Sequence, residues 1–99
     1  MVPLLITGGG IGGLATALAV AKTGRRVHVL EKAPEFAELG AGLQLAPNAV
    51  RVLNALGLLG EIEKHAFHPR RLILMDMLSG EEITALELGR RFLERYQFP

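Results

Sequence analysis

The chain opens on a continuous apolar run, Pro3-Leu-Leu-Ile-Thr7, that stops at glycines. This is the pattern of a strand buried on both faces of a parallel sheet. From Ile11 to Lys22 the pattern turns to Ala and Leu, with Leu14, Leu18 and Ala21 at helical spacing and Gly24 as the C-terminal stop. Alternation then takes over in Arg26-Val-His-Val-Leu30 and ends at Glu31, predicting a second strand. Strand, glycine turn, helix and strand make one β-α-β unit, a connection that is right-handed in nearly all proteins.

Beyond Glu38 the segment Leu39 to Pro47 carries two glycines and no helical period, so it reads as an ordered loop or short extended piece. Pro47 suits the first turn of a helix, where its missing N–H costs nothing. That helix runs to Gly57 with Ala49, Leu53 and Leu56 as its apolar face, and Leu58 to Ala66 predicts a further short helix. Leu72 to Leu78 and Glu82 to Leu88 flank Ser79-Gly80, a β-hairpin pattern. Arg90 to Tyr96 reads as the beginning of a last helix, and no repeat, low-complexity tract or linker interrupts the chain. The fold class is α/β: a Rossmann-like β-α-β unit followed by helices and a hairpin.

Composition narrows the function. A chain of 99 residues holds one modest core, burying a little over ~60% of the surface its unfolded form exposes. With 11 Lys+Arg against 10 Asp+Glu, no basic excess marks it for nucleic acid or an anionic membrane. Cysteine is absent, which excludes disulfides, thiolate metal sites and cysteine nucleophiles and leaves the cytoplasm as the default location. Redox chemistry would need a bound cofactor. Glycines from Gly8 to Gly13 break up the amino-terminal apolar stretch, and no run approaches the roughly 18 to 20 residues of a membrane span.

The chemical signal is Gly8-Gly9-Gly10-Ile11-Gly12-Gly13, a G-x-G-x-x-G sequence set between a strand and a helix. A pyrophosphate needs close backbone N–H donors and the positive end of a helix dipole, both available where a side-chain-free turn opens a helix. Gly8 permits the turn, Gly10 the close approach and Gly13 the packing of helix on strand, with Ala17 keeping that contact small. Glu31 follows 18 residues after Gly13, where a carboxylate accepts hydrogen bonds from the ribose hydroxyls of an adenosine. Together these predict a dinucleotide site. Glu31 disfavours the extra phosphate of NADP but leaves FAD and NAD open.

A second motif separates those two. Glu38-Leu-Gly-Ala-Gly-Leu-Gln-Leu-Ala-Pro-Asn-Ala-Val-Arg51, with Leu53 and Leu56-Gly57-Leu58 after it, resembles the E-x-G-A-G-[IL]-x-L-x-P-N-A-x-R-x-L stretch of the group A flavin monooxygenases. The resemblance is strongest to the salicylate hydroxylase and 3-hydroxybenzoate 6-hydroxylase branch and runs over nearly the whole chain. It implies an amino-terminal, partial FAD-binding domain of a longer enzyme, with the substrate domain and the later H-R-x-x-L and Gly-Asp motifs beyond Pro99. In such an enzyme NADH or NADPH reduces FAD, and oxygen then hydroxylates a phenolic acid or similar ring. The resemblance assigns Gly8, Gly10, Ile11 and Gly13 to the FAD pyrophosphate, Glu31 and Lys32 to the adenosine ribose, and Gly42, within the Gly40 to Leu45 segment, to the surroundings of the isoalloxazine ring. Arg51 is the weakest of these candidates for a cofactor contact; as a residue it reads first as a solvated or packing arginine on an apolar helix.

No residue is assigned as catalytic acid, base or nucleophile, and the fragment alone is expected to be inactive. His28 reads as a satisfied or half-exposed strand residue. His65 and His68 lack a carboxylate or third ligand for a metal, Met75 and Met77 fall on one face of a strand as fillers of a core or interface gap, and Glu61, Glu63 and Lys64 form a solvated helix face. Two other functions fit the same nucleotide fold: a flavin oxidase, dehydrogenase or ring cyclase, and a stand-alone nucleotide-binding or dimerisation module. Homo-oligomers through uncovered edges suit either.

Overall fold

The computed structural model describes residues 2–37, 40 and 42–99, and the chain divides into two compact units, Met1–Leu43 and Gln44–Pro99.

In the first unit, strand β1 (Leu4–Thr7), helix α1 (Ile11–Ala21) and strand β2 (Val27–Leu30) follow one another, and the strands pair in parallel with Leu4 opposite Val27 and Thr7 opposite Leu30. The β-α-β unit expected from the apolar pattern is therefore present. Leu4 N donates to Arg26 O at one end of the ladder and Gly8 N to Leu30 O at the other. Thr23 and Gly24 donate to the last carbonyls of α1, and Gly24 takes φ +85°, the left-handed stop its position predicts.

Two expectations need correction here. β1 is not buried on both faces: Leu4 and Ile6 are half-buried while Leu5 and Thr7 are exposed, because the sheet has two strands and α1 lies on the Ile6 side. In α1, Leu14, Leu18 and Ala21 are exposed, and the half-buried residues are Gly13, Ala15, Ala17 and Val20. Close approach of helix to strand selects the small side chains, so the bulkier leucines are turned away.

In the second unit, helix α2 (Pro47–Ala55) begins at Pro47 as predicted and is followed by α3 (Leu59–Glu63). Ala49, Leu53 and Leu56 are half-buried, and Val50 alone among the described hydrophobic side chains is buried. Strands β3 (Arg71–Met75) and β4 (Glu82–Glu87) form the hairpin, antiparallel with Arg71 opposite Glu87 and Leu72 opposite Leu86, and helix α4 (Arg90–Tyr96) follows.

The hairpin turn is longer than the sequence reading placed it. Asp76 Oδ1 accepts from Leu78 N, Ser79 N and Ser79 Oγ, while Asp76 N donates to Glu81 O. These local bonds replace the ladder, and the register breaks between Leu74 and Met75. Met77 thus sits in the turn, 93% exposed, and Met75 is also exposed; neither fills a gap in this chain.

Candidate functional site

The glycine turn joins the carboxyl end of β1 to the start of α1. Gly8 has φ +101°, a conformation that favours glycine, and it carries the chain away from the sheet immediately after its N–H has bonded Leu30 O. Gly10 is the N-cap of α1, with φ −73° and ψ −176°; no side chain caps the helix and no acidic residue occupies its first turn. The first amides of α1 and the positive end of its dipole are therefore open to solvent or to an outside anion. Ile11, the first helical residue, is exposed.

The glycines have different neighbours. A Cβ built on Gly13 would run into the carbonyl oxygen of Gly8 and lie 3.6 Å from Ile6 Cγ2, whereas one on Gly10 would meet nothing within 4 Å. Gly13 is a packing glycine, and Gly10 keeps an open approach to backbone.

Facing the turn is the carboxyl end of β2. An open cleft of about 640 Å³ is lined by Thr7, Gly8, Val29, Leu30, Glu31 and Lys32, outside the carboxyl ends of both strands, where α/β sheets hold their ligands. Glu31 Oε2 accepts from Gly9 N at 2.7 Å and Oε1 from Ala33 N at 3.1 Å. The Ala33 and Gly9 amides, in that order, hold the Glu31 carboxyl below the ordinary glutamate range. The carboxylate is charged at neutral pH and aimed at the loop.

The structure thus gathers Gly8, Gly10, Ile11, Gly13, Glu31 and Lys32 at one end of the first unit. Gly42 lies in the coil near its end, where a Cβ would meet nothing within 4 Å, while Glu38, Leu39 and Ala41 of the second motif lie outside the described residues. Arg51 belongs to the second unit, on α2, with its guanidinium carbon 5.9 Å from the Phe98 ring centroid. Sequence reading missed two features of the site: the bond from Gly9 to Glu31, and Phe36, whose Cε1 would stand 3.1 Å from a Cβ on Gly9. An aromatic residue five positions after the acidic one was the available signal.

Away from the cleft, His68 Nε2 lies 2.8 Å from Glu63 Oε2, a carboxylate the linear sequence did not place beside it. Among the described residues no group of three or more His, Asp or Glu is arranged to hold a metal ion, and no helix is long and apolar enough to cross a membrane.

The family model for the FAD binding domain matches residues 1–92. The chain belongs to that family. Among similar proteins, 3-hydroxybenzoate 6-hydroxylase 1 of Aquipseudomonas alcaligenes is 48% identical over 97 residues, and the 3-hydroxybenzoate 6-hydroxylase of Klebsiella oxytoca 45% identical over 96. These alignments cover 97% and 96% of this chain, which spans 24% of the length of either relative. The crystal structure of Klebsiella pneumoniae HpxO complexed with FAD and uric acid superposes with a TM-score of 0.78 at 31% identity, over 97% of this chain and 24% of that one. The family expected from the two motifs is the one found.

Proposed function

We propose that this chain is the FAD-binding segment of an NAD(P)H-dependent flavoprotein monooxygenase that hydroxylates a phenolic-acid-like aromatic ring. The observation that carries the nucleotide reading is the uncapped start of α1, reached past an open Gly10 and faced across a cleft by the charged Glu31. The parallel β1-α1-β2 unit is then the opening of a Rossmann-like fold. The names of the relatives, hydroxylases and monooxygenases of hydroxybenzoates and of 6-hydroxynicotinate, support ring hydroxylation over the oxidase, dehydrogenase and cyclase readings. The quarter-length match supports a partial FAD-binding domain whose substrate-handling part lies elsewhere in the enzyme.

The residues present fit the adenosine end of FAD. Gly8 turns the chain, Gly10 leaves room beside the backbone, and the amides from Ile11 to Gly13 donate to the pyrophosphate. Glu31 accepts from the ribose hydroxyls with Lys32 beside it. Gly42 is assigned to the surroundings of the flavin ring and Arg51 to a further cofactor contact, both on family pattern. When bound, FAD supplies the redox chemistry, taking electrons from NADH or NADPH and passing them to oxygen for ring hydroxylation.

Titration of the chain with FAD, and separately with NAD, tests this through flavin fluorescence and melting temperature at fixed protein concentration. Saturable FAD binding that raises the melting temperature and disappears in Gly10→Val is expected. A folded chain that leaves FAD free at all concentrations would contradict an autonomous cofactor segment.

A further inference from the structure

Glu31 holds two backbone amides that have nothing to do with a nucleotide. Gly9, the middle glycine of the first three, is buried, and a buried amide requires a partner. No strand or helix supplies one. Glu31 Oε2 does, across 22 residues of sequence, and Ala33 N fixes the other oxygen. A carboxylate held at both oxygens keeps one orientation, and a bond between an ionised acceptor and an N–H is shorter and stronger than a neutral one. Glu31 and Phe36 flank Gly9 at the distance of a missing side chain. Gly9 is thereby pinned to the end of β2, and Gly10 and the first turn of α1 follow directly from it in the chain.

We infer that Glu31 is a positioning residue for the glycine loop, pinning Gly9 so that the amides at the start of α1 are aimed before any nucleotide arrives. This deepens the nucleotide-site reading and rests on it. A carboxylate offers about four acceptor positions; Gly9 and Ala33 use two, so both oxygens retain capacity for ribose hydroxyls without releasing the loop. Holding the loop in its binding shape removes an ordering cost from the binding step.

The test uses isotope-labelled chain with no nucleotide present. The Gly9 amide resonance and the Glu31 side-chain carboxyl carbon are expected to titrate with one shared midpoint, Lys32 being the other charged residue lining the cleft. Exchange of the Gly9 amide is expected to accelerate about tenfold in Glu31→Ala and to be partly rescued in Glu31→Gln, which retains one acceptor oxygen. A Gly9 amide indifferent to the carboxyl titration overturns the inference on the unsubstituted chain alone, whatever the variants do. Addition of ADP separates the two readings: binding without Gly9–Glu31 coupling overturns the clamp and keeps the nucleotide site, whereas coupling without binding of ADP or FAD supports the clamp and overturns the site.

Discussion

Gly13 lies against the carbonyl group of Gly8 with no room for a side chain between them. The contact sets how closely α1 lies on β1, and it involves backbone that no rotamer change relieves. Gly13→Ala is therefore expected to destabilise the chain by about 3 kcal/mol, the upper part of the range for overpacking. Urea unfolding followed by circular dichroism measures this; a loss of unfolding free energy smaller than a third of that figure would show that the loop yields.

Gly10 carries the opposite expectation. Its φ is ordinary and its Cβ direction is open, so Gly10→Ala should change stability by less than about 1 kcal/mol, the scale of an N-cap substitution. The added methyl group occupies the approach to the backbone, and FAD affinity should fall about tenfold or more. Fluorescence titration beside a melting curve reads both quantities from one preparation.

Two carboxylates give the chain an acid limit with a known sign. The Ala33 and Gly9 amides lower the Glu31 pKa; Ser79 N–H foremost, with Ser79 Oγ–H and Leu78 N–H, lowers that of Asp76. Depressed folded-state values mean that stabilisation is complete above the ordinary pKa, about 4.3 for Glu and 3.9 for Asp, and is lost as pH falls through the lowered value. Protection of the Leu78 and Ser79 amides should disappear over that acidic range and be weak at all pH values in Asp76→Ala. Hydrogen exchange followed by mass spectrometry tests it, and protection independent of both pH and Asp76 would refute it.

The two faces of the β3–β4 hairpin differ. On one, Arg71 bonds Glu87 and Glu82 at 2.7 and 3.2 Å; on the other, Leu72, Leu74 and Leu86 are half or more exposed. Apolar surface of this kind drives association. Homo-association through this face predicts that replacing the cross-strand pair Leu72 and Leu86 by Lys and Glu keeps the chain monomeric to a several-fold higher concentration, roughly in line with the apolar area removed. Sedimentation velocity over a dilution series would show it, and unchanged association would place the contact elsewhere.

The nucleotide-site half of this chain was legible because its signals are short-range. A strand, six residues holding five glycines, a helix and an acidic residue lie within 31 positions, and each dictates its own local geometry. The orientation of α1 was not legible, since Leu14 and Leu18 have the better helical spacing and yet small residues are what a close helix–strand contact accepts. The hairpin was recognised but its turn was placed too tightly: the Asp76 carboxylate competes for amides that strand propensity assigns to the ladder. Glu31 was read as a ligand residue, and its hold on Gly9 depends on a fold that brings two strand ends together.

Helix α1 begins without a capping side chain or an acidic residue in its first turn, so its amino end is incomplete as a piece of secondary structure. In the proposed complex the pyrophosphate finishes it, and the ligand is in effect the helix's own N-cap. Glu31 holds that turn in shape beforehand, so the cofactor completes a helix end already in place, and any anion that binds the first amides competes with the pyrophosphate for a cap position as well as for a binding site.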